Sequence, residues 1–321
     1  MTSSLTPVFE LRDKLIRLYA KRSKWIQALI RFVSAFLMLQ TINTQIGYIP
    51  EIMSLPVILG ISLVCCILPW SVISILMCVL VVLEFLKVSV IVTGFCLFIL
   101  LCMLMVDLMF APGYNFIIFF VPLAFFLKLP FLVPLILGLA APLTAVIPML
   151  FGLLMHFMIS YVSSTAGILA DTAQSVGMYE KFVQMIEGVF KNQNLLVFAI
   201  AFSFTAAAVY LLRRLSVNYA WMIAVAVGSV LDLVLVLFGI ATYTGGTISV
   251  SAVIIGSVIS GLIALAVQFM IFSVDYKQTE YVQFEDDDYY YYVKAIPKVK
   301  VADREYDKKD FTEIDSAPTE E

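Results

Sequence analysis

Residues 116–162, FIIFFVPLAFFLKLPFLVPLILGLAAPLTAVIPMLFGLLMHFMISYV, are almost wholly apolar, yet Pro122, Pro130, Pro134, Pro142 and Pro148 interrupt them. A proline has no backbone N–H to donate and disfavours helix in the residue before it, so the tract is divided into pieces. As helices, 116–127 and 131–140 rise only about 15–18 Å, against a hydrocarbon core of about 30 Å. Neither piece spans alone. Broken apolar segments at membrane depth persist only where protein or a wet cavity satisfies the freed backbone groups. The spacing therefore predicts a re-entrant or half-helix hairpin over 116–140, with Lys128 near its tip and deep in the bundle, and a full span over 143–162. Two thin crossings over 116–140 are the alternative, and they would put Lys128 at a surface.

The rest of the chain agrees with a membrane setting. Hydrophobic residues make up 62% of it and charged ones 13%, far from the soluble-domain range. Apolar runs near twenty residues recur at 25–41, 52–68, 72–86, 89–109, 195–212, 220–240 and 250–272, the mark of an all-α polytopic helix bundle. Cys65, Cys66, Cys78, Cys96 and Cys102 all fall inside these runs and lack the loop spacing of a disulfide framework or zinc site, so they are read as packing residues. No cleavable signal peptide is expected, because a long polar segment precedes the first apolar run.

Residues 1–24 contain an amphipathic helix. Thr6 caps it, Pro7 suits its first position, and Val8, Leu11, Leu15, Leu18 and Tyr19 share a face opposite Glu10, Asp13, Lys14, Arg17 and Lys21. Such a helix either lies in the membrane interface or merely extends the first span. Residues 163–194 form a second amphipathic segment, with Leu169, Val176, Tyr179, Val183, Ile186 and Phe190 at helical spacing. The 25–162 and 195–272 regions are then two membrane modules. Ala199/Ser203, Ala224/Gly228 and Gly256/Ser260/Ala264 predict a tight three-helix packing in the second.

Six basic residues precede Trp25, Arg213 and Arg214 mark one turn, and seven more follow residue 272, whereas loops 42–51 and 241–249 carry none. The positive-inside rule puts both termini in the cytoplasm of a plasma-membrane protein and 163–194 outside. Parity then requires residues 116–162 to cross a net odd number of times, which a hairpin plus one span satisfies, giving eight full spans.

Ionisable groups within apolar spans mark candidate sites. Asp232 sits in GSVLDLVLVLFG, either as a proton or cation relay or as a hydrogen-bonding link to Ser203, Thr205 or Ser257. Lys128 is its candidate basic partner. Glu84 and Lys87, three apart at a span end, read as an interfacial ion pair, and Asp107 as a group reaching water. His156 reads as a packed, hydrogen-bonded residue, with no partners for a metal or proton-shuttle role. Walker, HExxH and GxSxG motifs are absent, so neither an enzyme nor a cofactor or metal is expected.

In the tail, 273–301, the strand formers flank an Asp286-Asp287-Asp288 turn, predicting a β-hairpin. A lone ribbon is marginal in water, so Tyr281, Phe284, Tyr289, Tyr290, Tyr291 and Tyr292 are candidate docking residues for a protein partner or a second copy. Residues 302–321 read as disordered. This tail, with FLKLPFLVPLILGLAAP, resembles a family of bacterial polytopic membrane proteins; the resemblance implies a lipid-embedded chain and no chemistry. Together these features predict a non-enzymatic membrane subunit of an envelope or transport assembly, bound to lipid and protein and not to nucleic acid. The alternative is a solute permease, proton-coupled through Asp232 and Lys128 or driven by a separate ATPase.

Overall fold

The computed structural model describes residues 21–52, 54–111, 113–171, 178–215, 217–244, 249–272, 280–285 and 290–295, with Lys14, Leu18 and Tyr19. They are helical but for one strand pair. In chain order the helices are α1 (Ser23–Gln45), α2 (Leu55–Cys65), α3 (Trp70–Leu86), α4 (Val90–Phe110), α5 (Ile117–Phe126), α6 (Leu132–Ala140), α7 (Val146–Asp171, entered through a 3-10 turn Leu143–Ala145), α8 (Met178–Phe190), α9 (Gln193–Leu212), α10 (Ala220–Gly239, ending in a π turn Ile240–Thr244) and α11 (Val250–Phe272). Among the described residues five helices are long and apolar enough to cross a membrane: Ser23–Gln45, Leu143–Ala166, Gln193–Leu212, Ala220–Tyr243 and Val250–Met270.

The proline-rich tract folds as two short helices of 10 and 9 residues, α5 and α6. Their junction is a Schellman turn. Leu129 N–H reaches back to the Ala124 carbonyl, Lys128 N–H to Phe125, and Lys128 itself takes the left-handed conformation with φ 59°. Pro130 follows and forbids continuation. Pro122 lies inside α5 and leaves the Ile118 carbonyl without its i+4 donor. Gly152 of α7 faces that carbonyl so closely that an added Cβ would stand 3.1 Å from it and 2.6 Å from a Val121 methyl. On the other leg, a Cβ on Gly138 of α6 would meet Val209 Cβ at 2.6 Å and the Ala206 carbonyl at 2.9 Å. The legs thus lean on different partners, α5 on α7 and α6 on α9.

Arg213, just past α9, ties down the foot of the hairpin. Its guanidinium donates to the Leu139 carbonyl and, at 2.9 Å, to Ala141, where the exposed carbonyls and negative dipole end of α6 favour a cation. Tyr114, just ahead of α5, also lies within electrostatic reach of Arg213. Both legs therefore begin and end beside Arg213, so the hairpin enters and leaves at one end of the bundle.

Around it, α1 to α4 pack with α5, α7 and α8 in one core that includes Leu39, Met77, Phe85, Leu100 and Met155. A second core joins α5 and α7 to α9 and α10, and a third joins α6 to α9, α10 and α11 through Leu135, Leu139, Val209 and Ala264. Cys65, Cys78 and Cys96 are buried, Cys102 exposed, and all five thiols free.

Three local features differ from the sequence reading. The apolar run 52–68 yields only 11 helical residues, because Pro56 sits in the first turn of α2 and short i→i+3 turns at Cys66 and Ile67 close it. α7 runs on to Asp171 rather than stopping at 162: Ser164 and Thr165 bond back to the Tyr161 carbonyl, which lets polar residues continue a helix. α10 packs closely on α9, whereas α11 meets α10 at one crossing, where Ser257 donates to the Ser229 carbonyl at 3.2 Å and Gly261 faces Ser229.

Residues 24–271 form one compact unit and 1–23 with 272–321 another. Most of the amphipathic helix expected over 6–24 lies outside the described residues. In this second unit β1 (Glu280–Glu285) pairs antiparallel with β2 (Tyr290–Ala295), with Phe284 opposite Tyr291 and Glu285 opposite Tyr290. The aspartate turn, Tyr289 and residues 302–321 lie outside the described residues.

The Gly138 contact gives a direct test of hairpin packing. Gly138→Ala should destabilise the protein by about 1–3 kcal/mol through overpacking. Gly60→Ala, where an added Cβ has nothing within 4 Å, should be neutral or stabilising. Reversible unfolding in mixed micelles measures both.

Candidate functional site

Phe125, near the tip of the hairpin, lies flat on the imidazole of His156, with ring centroids 4.0 Å apart and planes 16° from parallel. Phe157, Phe198 and Phe202 surround the Phe125 ring at 6.1, 5.3 and 6.5 Å. Phe131, on the far side of the turn, reaches Phe198 and Phe202, each at 6.3 Å. These separations and tilted planes suit aromatic quadrupoles, so the cluster holds the tip against α7 and α9. His156 is 13 residues beyond Leu143, which puts the contact about 20 Å along α7 from the Arg213 end.

On the other side of His156 the bundle is polar. A cavity of about 300 Å³ is lined by Gln45, His156, Ser160, Ser163 and Ser164. The four α7 residues lie at i, i+4, i+7 and i+8, one face of a helix, and Gln45 closes the cavity from the end of α1. Among the described residues Nδ1 of His156 is buried without a partner. The lining offers hydroxyls, an amide and an imidazole with no fixed charge, the chemistry to hold a neutral hydrogen-bonding solute or a column of water.

Glu84 supports the rim. Its carboxylate is buried and accepts from the backbone N–H of Tyr48 at 2.6 Å and of Ile49 at 3.1 Å. This replaces the ion pair with Lys87 expected from spacing: Lys87 is exposed and Glu84 turns inward to the loop after α1. The Tyr48 phenol faces Ser163, and burial raises its pKa above the ordinary value, with the Ser163 hydroxyl opposing. It therefore stays a neutral donor at the rim.

The remaining predicted residues are placed apart. Lys128 is exposed at the hairpin turn, not enclosed, and among the described residues it forms no ion pair with Asp232. Asp232 is fully buried in α10. Its polar neighbour is Thr205 of α9, but neither carboxyl oxygen nor the Thr205 hydroxyl has a partner in bonding geometry. Ser203 and Ser257, the other partners considered, bond instead to the Ala199 and Ser229 carbonyls. The Asp107 side chain lies outside the described residues. Tyr290 and Tyr291 are exposed on β2; Tyr281, Phe284 and Tyr292 are described in backbone register only. Among the described residues no three His, Cys, Asp or Glu side chains converge as a metal site.

Sequence reasoning missed Gln45, Tyr48, Ser160, Ser163 and Ser164. The spacing of the serines from His156 along one helix face was the available signal. No protein-family model, curated protein or solved structure matches the chain.

Replacing Glu84 with alanine should cost about 1.5–3 kcal/mol, the range for hydrogen bonds to a charged group. Glu84→Gln keeps one acceptor and should lose less. Thermal unfolding in detergent, with labelling of a cysteine placed at Ile49, reads stability and loosening of the loop together.

Proposed function

We propose that this chain is a non-enzymatic integral membrane subunit of a transport assembly, and that its half-length hairpin closes a solute pathway whose mouth is the polar cavity over His156. The observation that carries the reading is the juxtaposition at His156: one face of the imidazole stacks on Phe125 of the hairpin and the same residue lines the cavity. Ser160, Ser163 and Ser164 are exposed in this recess, as polar groups on an otherwise apolar helix are where they meet water or a solute, and non-helical backbone in an apolar bundle belongs beside such a cavity.

The reading comes with a topology. Eight segments cross the plasma membrane, the short α2 together with its flanking residues, and the hairpin enters without crossing; both termini are cytoplasmic, and the Arg213 end faces the cytoplasm by the basic-residue bias. The hairpin rises from that face. The cavity opens outward, with α8 beside it as an interfacial helix. Exposed Tyr179, Phe182, Ile186 and Phe190 on α8 support that position. The tail ribbon, with Tyr290 and Tyr291 exposed, docks a protein partner of the assembly or a second copy, because two strands alone are marginal in water.

Membrane-impermeant maleimide tests the pathway in a cysteine-free background. Single cysteines at Ser160, Ser163 and Ser164 should label in intact cells. A cysteine at Leu153, on the far side of His156, should label only when Phe125→Ala removes the stacked ring. Failure of the three serine positions to label from outside would overturn the proposal. Deleting residues 273–321 should strip a stoichiometric partner, or break a self-association, while leaving the bundle folded; an unchanged complex would refute the docking role.

A further inference from the structure

Asp232 stands apart from the cavity and from the hairpin's polar ends. It lies in α10 with zero exposure, and among the described residues both carboxyl oxygens lack partners. The elements around it supply no countercharge. α11 has no ionisable residue; α9 has only Tyr210, whose ring lies under Arg213 at 4.9 Å; α6 has none. An unpaired carboxylate in such a place is costly, and a neutral carboxylic acid is not.

What makes the position more than a helix-to-helix link is its neighbour. Thr205 is also fully buried, and its hydroxyl is also without a partner. A hydroxyl serves both forms of a carboxyl group, since it accepts from the acid and donates to the carboxylate. When it accepts, its own proton can turn to the carbonyl four residues back, as Ser203 does toward Ala199 at 2.7 Å. Polar groups of α10 and α11 meet one turn away along α10. Ser229, one turn from Asp232, takes the Ser257 hydrogen bond, and the Ser260 hydroxyl of α11 is a further buried group without a partner.

We propose that Asp232 and Thr205 form a buried proton-binding site that exchanges with water along the Ser229–Ser257–Ser260 seam. The step is the gain or loss of one proton: the carboxylate takes it from hydronium, releasing water, and the reverse returns it. No other bond changes. The site takes a proton rather than a metal cation, because a sodium ion needs more oxygen ligands than one carboxyl and one hydroxyl. The proposal is independent of the transport reading and of Lys128.

Dicyclohexylcarbodiimide reads the site on the full chain in detergent. It adds only to a protonated carboxyl in an apolar setting: the acid proton passes to a carbodiimide nitrogen, the oxygen bonds the central carbon, and acyl transfer leaves a stable N-acylurea. Peptide mass spectrometry should find that adduct on Asp232, decreasing as pH rises and absent in Asp232→Asn. Thr205→Ala should move the midpoint of the pH curve up, because the carboxylate loses its donor, and Thr205→Ser should restore it. No adduct, or labelling unaffected by pH, would mean a sealed structural aspartate and overturn the proposal. Protection by sodium chloride beyond that of choline chloride would overturn it in favour of a cation site. An unmoved midpoint in Thr205→Ala would remove Thr205 from the site. Size-exclusion profiles check that each variant is folded.

Discussion

Lipid offers no hydrogen bonds, and five prolines in one apolar tract stop its helices short or, at Pro122, remove a donor inside one. The fold answers this constraint by enclosing what the prolines break. α5 rests on α7 with Gly152 brought up to the carbonyl that Pro122 orphans. α6 rests on α9, and its terminal carbonyls are taken by Arg213. Between the legs, a Schellman turn at Lys128 satisfies the last carbonyls of α5, those of Ala124 and Phe125, without a glycine. Burial of the hairpin follows from this backbone requirement more than from any side-chain preference, since every side chain concerned except Lys128 would be content in lipid.

Enclosure has a second consequence. Because the hairpin tip meets α7 at His156, about 20 Å from the Arg213 end, α7 extends beyond it toward the opposite end. That exposed length is where Ser160, Ser163 and Ser164 occur and where the cavity forms. His156 sits at the changeover, with Phe125 on one side and the polar lining on the other. The aromatic cluster, the cavity and the half-length helices are thus one arrangement. Glu84 holds its rim by gripping two loop amides.

Much of this was legible in the sequence. The prolines located the hairpin, and the ends of α3, α4, α9, α10 and α11 fell within a few residues of their apolar runs. What escaped was pairing across helices. The neighbours of Glu84 were read along the helix to Lys87, while its partners come from a loop 35 and 36 residues away. Lys128 was put inside because the hairpin is inside, but a left-handed turn residue points its side chain away from the packed legs. Ser160 fell inside the span expected to end at 162, and Ser163 and Ser164 were read as the start of a separate amphipathic segment, since polar composition alone does not reveal back-bonding to the preceding turn. Small residues predicted close packing for α9, α10 and α11 alike; α9 lies along α10, and α11 comes close to α10 where Gly261 and Ser257 meet Ser229.

The account stands on the claim that residues 117–140 are two enclosed half-helices and not a membrane-crossing rod. Spin labels placed singly across 117–140 in nanodiscs, with relaxation by oxygen in lipid and by a nickel chelate in water, measure this most directly. The account predicts low accessibility to both at Val121, Leu135 and Leu139, and a break in periodicity with nickel access at Lys128. A continuous helical period of oxygen accessibility running through 127–131 would contradict it.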